Sequence, residues 1–111
     1  MTDQEIAHLN KRKAVRKPMH ARGKVSSNTK LAQFTSIDIG PGGICILLPD
    51  QLTLGEIYKI DVSMFINGRK MDVSSKAKAC YCICGSDGFK VGLQFVNLDE
   101  ASAKAIDLYL K

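Results

Sequence analysis

The chain has no tryptophan, only 6% aromatic residues, two histidines and three prolines among its 111 residues. Each scarcity excludes something. The seven Phe and Tyr residues are scattered and several are needed for a core, so a platform for stacking single-stranded nucleic acid is poorly supplied. Neither His8 nor His20 has an evident acid or nucleophile partner, and no Gly-Lys-Ser/Thr phosphate loop occurs, so no enzymatic activity is expected. No apolar run approaches the roughly 18 residues of a membrane-spanning helix. The opening MTDQEIAHLN lacks the basic start and apolar stretch of a secretion signal. A soluble, cytoplasmic protein with no membrane span is expected.

Four cysteines are present, Cys45, Cys80, Cys82 and Cys84. Without a secretion signal they read as reduced thiols rather than a disulfide framework. The C-x-C-x-C spacing differs from the paired C-x₂-C of structural zinc sites, and both histidines are distant in sequence, so no metal is expected. On a strand, Cys80, Cys82 and Cys84 would line one face as small buried or half-buried hydrophobes.

What the chain does have is locally concentrated charge. Residues 1–30 carry eight Lys/Arg against two acids, whereas residues 31–111 carry eight against nine. A cationic segment ahead of a near-neutral body suits an anionic partner met by that segment, although solvated basic tails are also common. Length and a 45% apolar content fit one globular domain.

Thr2-Asp3-Gln4-Glu5 fits a capping box ahead of Ile6 and Leu9, so a short helix is predicted there. Next comes Lys11-Arg12-Lys13-Ala14-Val15-Arg16-Lys17-Pro18, closed by a proline that disfavours helix at Lys17. Residues 1–19 are read as a flexible basic arm and residues 20–111 as the folded body. Six strands are predicted, at residues 21–26, 31–37, 43–48, 57–66, 70–83 and 89–95, because apolar residues alternate between turn signals. Asn67-Gly68 supplies the two positive-φ residues of a type I′ hairpin turn. After Asn97 the period changes, and Ala101, Ala105, Ile106, Tyr109 and Leu110 recur at helical spacing. The fold expected is mainly all-β: a small six-stranded antiparallel barrel with a C-terminal helix.

Two segments carry recognition chemistry. Arg12 and Arg16 form R-x-x-x-R, two planar forks able to grip phosphate, hold the O6/N7 edge of guanine or stack on a base. Asp38-Ile39-Gly40-Pro41-Gly42-Gly43 lies between two predicted strands; its carboxylate can accept from a guanine N1/N2 edge, and its glycines permit close backbone approach. Alone, each is also an ordinary basic tail or an ordinary turn.

In this order and separation, followed by hairpins ending in Val91-Gly92-Leu93-Gln94-Phe95 and a short helix, the motifs resemble the PilZ domain family over residues 11–110. The resemblance implies a bacterial receptor for cyclic di-GMP, with that dinucleotide as ligand and no cofactor. It implies that Arg12 and Arg16 grip the ligand, that Asp38 contacts guanine, and that Gly40 and Gly43 hold the second motif. Lys11, just before the first arginine, could reach a second nucleotide. Gly40 departs from the family's usual serine or alanine. Loss of a hydroxyl removes one possible hydrogen bond, about 0.5–1.5 kcal/mol, or up to roughly tenfold in affinity. The arm is expected to order on the ligand and to signal to a separate effector protein. The alternatives are a PilZ-like protein-interaction module with weak or no nucleotide binding, and a barrel binding single-stranded nucleic acid. The scarcity of aromatics disfavours the second, so no nucleic acid polymer is expected as a partner.

Overall fold

A computed structural model describes residues 15–111. Seven strands and one helix follow in order: β1 (Lys17–Pro18), β2 (Arg22–Ser26), β3 (Leu31–Ile39), β4 (Gly43–Leu48), β5 (Ile57–Ile66), β6 (Arg69–Gly85), β7 (Gly88–Val96) and α1 (Glu100–Leu110). The helix expected near Thr2–Leu9, and Lys11 and Arg12, lie outside the described residues.

Strands β2 to β7 close into a six-stranded antiparallel barrel, in the order β3-β2-β5-β6-β7-β4, with β4 pairing back onto β3. Two meanders compose it. β2-β3-β4 and β5-β6-β7 are each joined by short connections, and the seams β2–β5 and β4–β7 unite them. The β5–β6 turn is the one the sequence predicts, with φ of 52° at Asn67 and 78° at Gly68. Ile44, Ile46, Leu48, Ile60, Met64, Val73 and Val91 fill the interior. Burial of each stabilises the fold by about 1.5–3 kcal/mol.

β3 runs two residues beyond its predicted end, and β6 is longer than predicted at both ends. Both are bent by a bulge. In β3 the pairing with β4 slips between Ser36 and Asp38; in β6 the pairing with β7 slips between Ala79 and Tyr81. One extra residue reverses the in–out alternation downstream of it. This corrects the reading of the cysteines. Because Cys80 is the extra residue, Cys80, Cys82 and Cys84 do not share a face: Cys80 and Cys84 are exposed, Cys82 is half-buried, and only Cys45 is fully buried.

The arm also differs from expectation at its inner end. Residues 17–19 belong to the barrel: Lys17 and Pro18 pair with Ile39 and Asp38, the Met19 N–H donates to the Ile37 carbonyl at 3.0 Å, and Met19 is buried. Proline, lacking an N–H, suits this short strand.

α1 begins at its N-cap Asp99, whose carboxylate accepts from the Ser102 N–H at 2.7 Å. The Ser102 hydroxyl accepts from the Ser74 N–H at 3.1 Å and donates to the Ser74 carbonyl at 3.2 Å. It thereby serves the edge of β6 beyond its last pairing with β7, Lys76 with Val96. Ala105 and Ile106 enter the core. Among the described residues no helix is long and apolar enough to cross a membrane.

Candidate functional site

Asp38 reaches the surface because of a bulge. Upstream in β3, Phe34 and Ser36 point inward, and continued alternation would carry Asp38 into the core. The slip at Ile37 turns Ile39 inward and Asp38 outward. There the Arg16 Nε–H donates to Asp38 Oδ1 at 2.7 Å, an ion pair whose side chains are 37% and 31% exposed. Arginine and carboxylate of the two sequence motifs are thus in direct contact.

The second bulge does the same for Tyr81. Ala77 and Ala79 point inward, whereas Tyr81, one residue past the slip, lies outside at 41% exposure. Its ring lies over Gly92, where a Cβ would fall within the ring itself. Its hydroxyl donates to the Cys45 sulfur at 3.4 Å. Asp38 pairs with Cys45, Cys45 with Gly92, and Gly92 with Tyr81, so the groups form one row across four strands. Arg16, Gly43, Cys80, Tyr81 and Gln94 line an open hollow of about 420 Å³ beside that row. A wider hollow lined by Arg22, Asp61, Lys70 and Asp72 lies on β2, β5 and β6 and contains none of the motif residues.

The Cys45 hydrogen bond, and then partial burial, push the Tyr81 phenol from 10 up to about 12, with Arg16 pulling weakly the other way. The folded chain therefore keeps this proton above pH 10, where an unfolded tyrosine releases it. The associated stability is intact below pH 10 and is lost as pH rises through 12. Titration followed by phenolate absorbance should show one tyrosine ionising late, and Cys45→Ala should move it back toward 10. No change in that variant would mean that the thiol does not hold the hydroxyl.

The remaining motif residues divide by role. Gly43 is buried where β4 meets β7, and a Cβ there would fall onto the Leu93 carbonyl, so its absent side chain serves the barrel. Gly40 is buried beneath Val15 and Arg16. Arg12 and Lys11 lie outside the described residues. Tyr81 and Gln94 were not singled out by sequence reading, although a glycine inside a strand, Gly92, is a signal of close approach that could have found the ring. Among the described residues no three of His, Cys, Asp and Glu gather as a metal site would require.

The PilZ domain family model matches residues 10–111, and the chain belongs to that family. Among solved structures, the Bacillus subtilis inhibitor of motility MotI/DgrA superposes with a TM-score of 0.75 at 17% identity, covering 86% of this chain and 47% of its own. YcgR from Escherichia coli, solved in complex with c-di-GMP, superposes with a TM-score of 0.67 at 17% identity, covering 83% of this chain and 41% of its own. The separately solved YcgR PilZ domain with c-di-GMP gives 0.66 at 14% identity, covering 86% and 85%. The chain thus spans less than half the length of the first two. No curated protein sequence matches.

Proposed function

We propose that this protein is a receptor for cyclic di-GMP, a binding module rather than an enzyme, and that Arg12, Arg16 and Asp38 are its principal ligand contacts. The observation that carries the reading is the ion pair between Asp38 and Arg16, the latter lining the hollow beside Tyr81. A dinucleotide with two phosphates and two guanines needs cationic forks, a carboxylate for the guanine N1/N2 edge and a flat surface for a base. Arg16 and Asp38 supply the first two. The exposed Tyr81 ring supplies the third, and base stacking on an aromatic is worth about 1–3 kcal/mol. Arg12 and Lys11, four and five residues before Arg16 in sequence, add further cationic groups for the phosphates, with Lys11 available to a second nucleotide. The c-di-GMP-bound YcgR neighbours support the same ligand. The protein signals in the cytoplasm to a separate effector that recognises the ligand-covered surface.

Isothermal titration is the test. Cyclic di-GMP should bind in the micromolar range or tighter, about −8 kcal/mol, and GMP and cyclic di-AMP at least about tenfold more weakly. Equal affinity for the adenine analogue would remove the guanine-reading role of Asp38. No binding at all would favour an interaction module without nucleotide.

A further inference from the structure

Gly40 has no conformational reason to be glycine, because its φ does not lie in the left-handed region. Its reason is space. A Cβ at this position would stand 2.8 Å from the Val15 carbonyl oxygen and 3.3 Å from Arg16 Cγ. The first distance is shorter than real Cβ contacts, and the obstacle is backbone, which cannot rotate aside. The segment that fills this space is fixed at several further points. Pro18 pairs with Asp38, the Lys17 ammonium lies 4.7 Å from the Tyr109 ring centroid and donates to the Tyr109 carbonyl at 3.0 Å, and the Tyr109 hydroxyl donates to the Pro18 carbonyl at 2.6 Å. Seated in this way, the strap delivers the Arg16 Nε–H to Asp38.

We propose that Gly40 is a positioning residue: by leaving room for Val15 it seats the strap so that Arg16 and Asp38 neutralise each other in the free protein, which sets a threshold that an anionic ligand must overcome. The inference rests on the cyclic di-GMP reading for its ligand. The two groups that should grip the dinucleotide are engaged with each other beforehand, so a ligand phosphate competes with the Asp38 carboxylate for one guanidinium. A side chain at position 40 would push the Val15–Arg16 backbone outward, break the ion pair and release Arg16. Affinity for the ligand would then rise, the opposite of the result expected if glycine merely lacks a hydrogen-bonding hydroxyl.

The experiment compares the wild-type protein with Gly40→Ala and Gly40→Ser by hydrogen exchange, read at the Arg16 Nε–H and the Met19 amide, and by titration with cyclic di-GMP. Exchange at both groups should quicken by about fivefold or more in the variants, without global unfolding. Cyclic di-GMP should bind about 2- to 5-fold more tightly, the range over which an exposed ion pair can hold a population back from a competing ligand. Unchanged exchange overturns the seating role, and faster exchange with equal or weaker binding overturns the threshold. If the wild-type protein binds no cyclic di-GMP, the functional reading fails, and the exchange arm alone decides whether Gly40 seats the strap. Should both variants unfold, Tyr109→Phe loosens the strap at its other attachment and must reproduce the faster exchange and tighter binding.

Discussion

Gly43→Ala should cost the barrel about 3 kcal/mol and lower its melting temperature by roughly 10–20 °C. Gly43 pairs with Gln94 across the β4–β7 seam, and the added methyl would fall onto the Leu93 carbonyl. Because the obstacle is the backbone of a paired strand, relief requires the strands to part. The neighbouring Gly42→Ala is the control, since nothing lies within 4 Å of its absent Cβ and its φ is not left-handed. Its effect should stay within about 0.5 kcal/mol. Thermal melts of the two variants decide the matter: similar melting temperatures would show that the seam yields, and that Gly43 is not held glycine by β7.

The second large effect is expected on binding. Arg16→Ala and Asp38→Ala should each weaken cyclic di-GMP binding by about 1.5–3 kcal/mol, or roughly 10- to 150-fold, through lost charge-assisted hydrogen bonds. Their melting temperatures should barely move, because an ion pair as exposed as this one contributes at most about 1 kcal/mol. The losses should not add in the double variant, since the two side chains touch. Titration alongside melting separates the roles; variants that melt early while binding normally would make the pair a structural clasp.

The parts of this fold legible in the sequence are those written in adjacent residues. Asn67-Gly68 identifies its hairpin because two successive positive-φ positions leave few other residue choices. The strand faces carrying Ile60, Val62 and Met64, or Val91 and Leu93, repeat with period two and are buried accordingly. The site is less legible because it depends on departures from that period. An alternation rule extended through Phe34 and Ser36 sends Asp38 inward, and one extended through Ala77 and Ala79 sends Tyr81 inward; the bulges between them are set by the register against the following strands β4 and β7, which the period of one strand does not reveal. Charge misled in the same way at the arm. Lys17 and Pro18 read as part of a flexible basic arm because Tyr109 and Ile39, which hold them, lie far along the chain.

The two-meander construction has a consequence for the order of assembly. Each meander pairs strands that follow one another in the chain, so its loops close early, whereas the two seams join residues separated by much of the domain. Seam closure is therefore the expected slow event in folding, and seam opening the expected first event in unfolding. Asp38 and Cys45 stand on one meander, Gly92 and Tyr81 on the other, so a ligand in the hollow would bridge the β4–β7 seam as a removable rivet. Occupancy would then slow unfolding more than it speeds folding, making the lifetime of the closed barrel itself a measure of how much messenger is present.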